Sequence, residues 1–238
     1  MYIARFGVLL IFLALLVSCE SITNLLPEVN KPMPYKPIPY NWNKETVDTT
    51  AGADYLSDRE RQVIIEINMV RTNPAEYARS FLMPLRSNYR NKLLQYPGEI
   101  AVSTREGIRA LDECIGELQV TKSLSPLSPS KGLTLAARDH ARDQAITGAT
   151  GHTGRDESSF AGRLNRYGKW EISAGENIDY GHSDARRIVT AQLIDDGVAS
   201  RDHRMNLLNG SFKFVGVSVG AHGFFGYMCV MEFAGSYR

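Results

Sequence analysis

The stretch KFVGVSVGAHGFFGYMCVMEF, residues 213–233, decides the fold class of this 238-residue chain. Residues 213–219 and 227–233 are rich in β-branched, aromatic and other apolar side chains, which favour strands. The glycine-containing segment AHGFFG between them supplies a turn. We therefore predict an antiparallel hairpin near the C-terminal end of the chain.

The sequence before this hairpin has helical rather than strand periodicity. Two segments open on a capping-box pattern, in which glutamate follows serine by three residues: Ser57 to Glu60 and Ser103 to Glu106. The predicted class is therefore α+β, with several helices packed on a small antiparallel sheet. The predicted helices start near Ser57, Pro74, Ser103, Ser130, Phe160 and Ser183.

The first residues are typical of a secreted protein. Arg5 precedes an apolar run over residues 6–17, which is too short to span a membrane comfortably, and Cys19 follows. This resembles a bacterial lipoprotein signal, in which the cysteine is acylated and becomes the first residue of the mature chain. An uncleaved anchor and an ordinary signal peptide are the alternatives, and all three place the rest of the chain outside the cytoplasm. Glu20 leaves the outer membrane or the cell surface as the expected location.

A proline-rich segment follows this signal. Five prolines between residues 27 and 39 fix φ and remove backbone donors, so neither a helix nor a sheet propagates there. It is expected to be an extended tether, or its aromatic residues Tyr35, Tyr40 and Trp42 let part of it pack on the domain. The expected parts are a signal peptide over 1–18, a tether over 19–53 and one domain over 54–238.

Charge excludes one class of partner. The chain carries 27 Lys and Arg against 26 Asp and Glu, a formal net charge of +1. It has no large basic field that would attract nucleic acid or an anionic membrane. Membrane attachment is therefore expected to depend on a lipid on Cys19.

Two cysteines remain if Cys19 is lipidated. Cys114 and Cys229 could pair in an oxidising compartment. They could equally remain free thiols that fill small apolar spaces in the core. The sequence does not show whether the two sulfur atoms meet.

Three ionisable residues lie in segments outside the predicted helix interiors. His152 lies in GHTG after a helix end, Glu176 lies in AGEN in irregular or strand-edge chain, and His203 lies in a loop before the hairpin. They either converge at one end of the sheet or are three separately solvated or hydrogen-bonded residues. Spacing alone leaves both possibilities open.

The ordered motifs GHTG, AGEN, DHRMNLL, FKFVGVSVG and YMCVMEFAG resemble the CAP superfamily. This family contains cysteine-rich secretory proteins, antigen 5 and plant pathogenesis-related proteins. Ser200, His203, Arg204 and Asn206 reproduce the S-x-x-H-R-x-N pattern of its bacterial, SCP-domain branch. The segments INMVRTNPAEYA and LTLAARDHARDQA fit the same branch, and the resemblance covers roughly residues 57–236.

The resemblance implies an α-β-α sandwich with a cleft that holds two histidines and two acids. His152 and His203 correspond to the histidines and Glu176 to one acid. Many eukaryotic members carry the second acid as a glutamate in the helix before the second histidine. This chain has Asp195 and Asp196 there, with side chains that are shorter by one methylene.

Other polar residues are candidates for ligand binding. His140 lies on the core-facing side of its helix, where it either faces the cleft or is a buried histidine bonded to a carbonyl; the second is favoured. Asn206 is a further candidate, or it bonds loop backbone. His182 and His222 lie in glycine-flanked turns and are expected to face solvent.

Two imidazoles with one or two carboxylates support two kinds of chemistry. His152 and His203 are candidate ligands for zinc or another divalent metal, with an open position for water or a ligand. Without metal, His152, Glu176 and His203 are candidate catalytic acids and bases. Neither G-x-S-x-G nor H-E-x-x-H occurs in the chain.

The leading prediction is an extracytoplasmic, lipid-anchored binding protein whose cleft takes a small lipid, glycan or peptide, with metal use left open. One alternative is a metal-assisted hydrolase that acts on peptide, peptidoglycan or lipid. The other is a structural or interaction module without catalysis.

Overall fold

The computed structural model describes residues 37–39 and 41–238. The helices are α1 Lys44–Val47, α2 Asp58–Thr72, α3 Pro74–Tyr77, α4 Ile108–Val120, α5 Lys131–Thr147, α6 Phe160–Tyr167, α7 Ala185–Ile194 and α8 Asp202–Leu207. A π-helical turn, Ala78–Leu82, and a 3-10 helix, Met83–Asn88, continue α3. The strands are β1 Tyr89–Arg90, β2 Leu93–Leu94, β3 Val102–Ser103, β4 Ser128–Pro129, β5 Trp170–Tyr180, β6 Phe214–His222 and β7 Gly226–Tyr237.

The predicted C-terminal hairpin is confirmed. β6 and β7 pair antiparallel, with Phe214 opposite Ala234 at one end and His222 opposite Gly226 at the other. They form the centre of a four-stranded sheet of order β4-β6-β7-β5. β5 runs antiparallel along β7, and the short β4 runs parallel to β6. Glu176 therefore lies in a strand at the edge of the sheet.

Helices cover both faces of this sheet, which gives the expected α-β-α sandwich. Side chains alternate between the faces along each strand. On one face, Ile178, Val230 and Ala234 pack with residues of α5 and α6. On the other, Val217 and Met231 join the larger core with α2, α4 and α7.

One predicted capping box is confirmed and the other is wrong. The Ser57 box makes both of its reciprocal hydrogen bonds. Ser103 instead ends β3, and α4 begins only at Ile108. The backbone N–H groups of residues 105–106 donate to the Asp196 carboxylate at 2.6 and 2.8 Å. A side chain from a distant loop thus fixes the segment just before α4, whose N-cap residue Gly107 has no side-chain cap.

The folded unit extends before residue 54. Trp42 is 6% exposed, and its indole N–H donates to the Met69 carbonyl at 2.9 Å. α1 carries the buried Val47, so this segment packs on the domain. The expected signal peptide, the Cys19 lipidation site and two tether aromatics, Tyr35 and Tyr40, lie outside the described residues. No helix within the described ranges is long and apolar enough to cross a bilayer.

Cys114 and Cys229 are both buried free thiols in the described structure. Both belong to the larger core, as the free-thiol alternative expects. Burial raises the pKa of the Cys114 thiol to about 12 and the pKa of Cys229 well above its ordinary value. Neither sulfur is therefore a thiolate near neutral pH.

Candidate functional site

The first histidine of the predicted set contacts the predicted acid. Nδ1 of His152 lies 2.8 Å from Oε1 of Glu176. The His152 side chain is 53% exposed, whereas that of Glu176 is 1% exposed. The loop after α5 thus places an accessible imidazole against a buried carboxylate of β5. With Nδ1 on Glu176, Nε2 is the ring nitrogen that remains for a ligand.

A buried arginine holds the other side of the same acid. Nη2 of Arg163, on α6, donates to Oε2 of Glu176 at 2.6 Å. Its Nη1 donates to the carbonyl oxygens of His152 and Ser158 at 3.1 and 3.0 Å. Arg163 therefore fixes both the acid and the loop that carries His152. The sequence of α6 does not distinguish Arg163 from an arginine on the protein surface.

A second glutamate lies directly beside Glu176. Glu232 of β7 is its cross-strand partner and has no solvent exposure. Neither Glu232 oxygen accepts a hydrogen bond from a donor of the described residues, and the group within hydrogen-bonding reach is the Glu176 carboxylate. Two carboxyl groups can bond only if one of them carries a proton. Burial, and next the Glu176 charge, raise the pKa of Glu232 well above its usual range, which favours the neutral form of Glu232.

The pair carries its negative charge on Glu176. Burial is the largest influence and acts to raise the pKa of Glu176. The hydrogen bonds from His152 and Glu232 and the charge of Arg163 act in the opposite direction, and together they lower it. The lowered pKa favours an ionised Glu176, whose carboxylate contacts His152 and Arg163 and lies beside Glu232.

His140 supports the His152 loop from below. It is fully buried, and its Nε2 lies 2.8 Å from the Gly151 carbonyl oxygen. Gln144 also donates to that oxygen, at 2.6 Å. The alternative of a buried histidine bonded to a carbonyl is thus confirmed for His140. Burial lowers its pKa, which favours a neutral ring.

The second histidine of the set has its own acid. Nδ1 of His203 lies 2.7 Å from Oδ1 of Asp195, and Oδ2 of Asp195 accepts the His203 backbone N–H at 2.9 Å. His203 lies in the short helix α8 and not in the expected loop. Asp196 faces away, onto residues 105–106. The hydrogen bond that the His203 ring donates to Asp195 is the largest influence on the pKa of His203, and it raises that pKa.

Strand β5 joins the two histidine–acid pairs. Asn177, next to Glu176, points to the opposite face, where its Nδ2 donates to the His203 carbonyl at 2.9 Å. The Asn206 amide donates to Oδ1 of Asn177 at 2.8 Å. A Cβ at Gly175 would lie 2.9 Å from Oδ1 of Asn206, which explains the glycine of AGEN. The three predicted residues thus belong to two histidine–acid dyads, which are linked through Asn177 of β5.

A hollow of about 310 Å³ lies beside His203, between α7 and the small sheet formed by β1, β2 and β3. We call it the His203 pocket. Its walls are largely apolar and include Tyr89, Leu94, Val102, Ile194 and Val198.

A second imidazole, that of His182, also lines the His203 pocket. Nδ1 of His182 lies 3.1 Å from both carboxylate oxygens of Asp179. Burial, the largest influence, lowers the pKa of His182, but the hydrogen bond and charge of Asp179 outweigh it and raise the pKa overall. The His182 side chain was expected to face solvent, but only 34% of it is exposed, so that expectation is wrong. The same expectation is wrong for His222, which is fully buried with Nε2 2.9 Å from the Ala149 carbonyl.

Only two residues, His152 and His203, were predicted as metal ligands. Across the part of the chain that the structure describes, no group of three or more His, Cys, Asp or Glu side chains is arranged to hold a metal ion. Glu176 and Asp195 each orient a histidine through Nδ1. This places the two carboxylates behind the imidazoles, as the outer partners of a metal-binding histidine are placed.

The comparison with protein families agrees with the motifs. The model of the CAP family, described as the cysteine-rich secretory protein family, matches residues 104–233. This is more than half of the chain, and the chain belongs to that family. No protein with a curated description matches the sequence.

Two solved structures are similar over part of the chain. One is an extracellular protein containing an SCP domain from Bacillus anthracis strain Ames, with 27% identity over 47% of this chain and 34% of that one, at a TM-score of 0.40. The other is an outer surface protein from Borrelia burgdorferi, with 20% identity over 47% of this chain and 78% of that one, also at 0.40. This chain spans about a third of the Bacillus protein. Neither similarity assigns a role to any residue.

Proposed function

We propose that this protein is a ligand-binding CAP protein of the cell envelope and that its ligand occupies the His203 pocket. The observation that carries the proposal is the hollow of about 310 Å³ with largely apolar walls and two imidazoles at its surface. Small-molecule sites are typically concave and apolar, with a few convergent polar groups that fix orientation. A small lipid, glycan or peptide fragment is the expected class of ligand.

A larger side chain in the wall of the His203 pocket tests this proposal. Ala191 lines it from α7, so Ala191→Phe should displace a bound molecule. We expect mass spectrometry of the folded, freshly purified protein to show a ligand that is lost in this variant. Ala149→Phe, at an exposed site away from the pocket, is the control and should retain the ligand. Retention in both variants would contradict the assignment of the pocket.

A metal-assisted hydrolase is the second candidate function. His152 and His203 each have an acid on Nδ1, which leaves Nε2 free for a metal such as zinc. A bound zinc ion would supply an activated water, but two histidines are one fewer than the three protein ligands usual at a catalytic zinc site. This shortage favours the binding function.

Titration and turnover separate these two functions. Calorimetric titration with zinc should show near-stoichiometric uptake that His152→Ala and His203→Ala together abolish, if a metal is used. Hydrolysis additionally requires turnover that Glu176→Gln removes. Absence of zinc uptake by the intact protein would eliminate the metal-dependent candidate and leave ligand binding untouched.

A further inference from the structure

Strand β6 has an open edge over most of its length. The sheet order places β6 between β4 and β7, but β4 pairs only with Phe214 and Val215. Residues 216–222 therefore pair with β7 on one side and with no strand of the described structure on the other. An unpaired strand edge presents main-chain donors and acceptors to which another extended chain can pair.

The main-chain groups of Val219 and Ala221 point to this open edge. Along a strand, the N–H and C=O groups of successive residues face opposite edges. The Val215 carbonyl accepts the N–H of Ser130, which directly follows β4, at 2.9 Å. Because β6 and β7 pair in one continuous register, every second residue after Val215 directs its main-chain groups to the same side.

The opposite strand gives independent support for this orientation. Tyr227 of β7 pairs with Ala221, and its carbonyl accepts the Gly181 N–H at 2.9 Å. Gly181 directly follows β5, so this carbonyl points away from β6, as it does in a pair of opposed residues that exchange no main-chain hydrogen bonds. The N–H and C=O groups of Ala221 therefore have no partner on β7 and face outward.

The open edge is the floor of a groove of about 520 Å³, which residues 218–221 line from β6. We call it the edge groove. Its walls are residues of α5 and of the start of α2: Arg138, Ala141, Arg142 and Ala145 on α5, and Ser57 and Glu60 on α2. Gly220 and Ala221 are partly exposed, so the floor is open to solvent. The edge groove shares no lining residue with the His203 pocket, and it is a separate surface.

The edge groove carries one unbalanced positive charge. Arg138 donates to the Glu60 carboxylate at 2.7 Å and to the Tyr55 carbonyl at 2.6 Å, so its charge is neutralised. Arg142 is exposed and makes no hydrogen bond or ion pair with a described residue. A partner that brings a negative charge to the α5 wall would therefore complement this groove.

These observations define a partner by its chemistry. We propose that the edge groove binds an extended peptide segment with a carboxylate side chain, which adds to β6 as a further strand. The peptide main chain exchanges hydrogen bonds with Val219 and Ala221, and every second side chain lies on the α5 side, where Arg142 meets the carboxylate. A second copy of this chain fits less well, because antiparallel pairing of two β6 edges would place both Arg142 side chains on one face of the joined sheet.

Three fluorescently labelled peptides test the proposal on the full folded protein: acetyl-Thr-Val-Glu-Val-Thr-amide and its counterparts with glutamine or lysine at the centre. We expect the glutamate peptide to bind with a Kd of about 1 mM or below. It should bind about threefold more tightly than the glutamine peptide, and the lysine peptide should bind most weakly, because an exposed charge pair contributes modestly. Fluorescence anisotropy measures the three affinities. Absence of saturable binding, or equal binding of the three peptides, would overturn the proposal.

Ala221→Pro tests the main-chain pairing. Proline removes the outward N–H and is tolerated at a strand edge, so the pairing with β7 is kept. We expect the glutamate peptide to bind about fivefold more weakly to this variant, whereas the matched control Ala221→Ser keeps the N–H and should bind as the unmodified protein does. Equal affinity of both variants would overturn the added strand.

Amide hydrogen exchange decides the same point without a variant, should Ala221→Pro not fold. In the unmodified protein, the N–H groups of Val219 and Ala221 should exchange more slowly when the glutamate peptide is bound. Unchanged exchange at both positions would contradict pairing at this edge.

Arg142→Gln tests the charge. We expect this variant to bind the glutamate and glutamine peptides equally and to keep its affinity for the glutamine peptide. Arg90→Gln, at an exposed arginine outside the edge groove, is the matched control and should retain the preference for glutamate. A retained preference in Arg142→Gln would overturn the role of this arginine. A dimer of the unmodified protein in sedimentation that Ala221→Pro dissociates would identify a second copy as the occupant and overturn the peptide proposal.

Discussion

At the scale of single residues, the pKa of the His203 imidazole depends on the Asp195 carboxylate. Its carboxylate binds both Nδ1 and the backbone N–H of His203, and the hydrogen bond raises the pKa of that imidazole. We expect Asp195→Asn to lower the pKa of His203, because an amide cannot stabilise the imidazolium by charge. An NMR titration of the His203 ring measures the change. Asp196→Asn is the matched control, since Asp196 does not contact His203, and an equal effect of both variants would contradict the pairing.

The same pair has a defined pH dependence of stability. A raised pKa in the folded state means that the folded protein holds the His203 proton more tightly than the unfolded chain does. The stabilisation is therefore complete below the unfolded pKa of ~6.5 and is lost as the pH rises through the folded pKa. In Asp195→Asn this part of the pH dependence should disappear from denaturant unfolding curves.

Glu232 also makes the free energy of unfolding depend on pH, but here because folding buries an acid. Burial and the Glu176 charge raise the pKa of Glu232, while the Arg163 charge acts in the opposite direction. Above an unfolded pKa of ~4.3, folding must take up a proton, so the free energy of unfolding falls as pH rises towards the folded pKa, by at most about 1.4 kcal/mol per pH unit. Glu232→Gln keeps a neutral donor beside Glu176 and should remove this slope. Urea unfolding of both proteins between pH 5 and 8 measures it, and parallel curves would show that Glu232 is ionised in the fold.

The sequence predicted residues of the two dyads, but it did not predict the buried residues that contact them. His152, Glu176 and His203 lie in short motifs that resemble the family, so they could be named without coordinates. Glu232 had a signal, an acid within the apolar run YMCVMEF, but only strand register shows that it faces Glu176. Arg163 lies in a helix whose sequence does not distinguish it from a surface arginine.

At the scale of elements, α8 depends on one buried arginine. The Arg204 side chain has no solvent exposure, and its guanidinium donates to the carbonyls of Leu193 and Ile194 at the end of α7. It also bonds Glu113 and Glu117 of α4, at 3.0 and 2.6 Å. Arg204 therefore holds the helix that carries His203 against α4 and α7.

Removal of the Arg204 side chain should destabilise the folded protein. We expect Arg204→Ala to lower the free energy of unfolding by about 3 kcal/mol, because two carbonyl groups lose their donors and a packed side chain is lost. Most of this comes from the carbonyl hydrogen bonds, since Glu113 and Glu117 are each nearly half exposed. Arg204→Lys should recover only part of the loss, because an ammonium group cannot reproduce the planar fork. Chemical denaturation measures both variants, and full recovery by lysine would contradict the geometric role.

Local signals predicted the elements that are defined locally. The hairpin and the α2 cap follow from periodicity and from residues a few positions apart, and both are confirmed. The carboxylate that accepts the N–H groups of residues 105–106 belongs to Asp196, about ninety positions away along the chain. The His203 pocket likewise requires the short strands β1 to β3 to fold back over α7. Contacts of this kind depend on tertiary packing, which a single sequence pattern does not specify.

At the scale of the whole molecule, β5 links the two dyads. His152 and Glu176 belong to the layer of α5 and α6, and His203 and Asp195 belong to the layer of α7 and α8. Asn177 is the link between them through its bond to the His203 carbonyl. His203 and Asp195 line the His203 pocket, whereas His152 and Glu176 are not among its lining residues.

The location of the molecule depends on its first residues, which lie outside the described structure. The formal net charge is +1, so electrostatic attraction to a membrane is weak, and a lipid on Cys19 is the proposed attachment. We expect Cys19→Ser to move the protein from the membrane fraction to the soluble fraction, because the acylated residue is removed while the folded domain is unchanged. Ser21→Ala, two residues away, is the matched control and should remain with the membrane. If Cys19→Ser stays in the membrane fraction and is resistant to salt extraction, residues 6–17 act as an uncleaved anchor and the lipoprotein proposal is wrong.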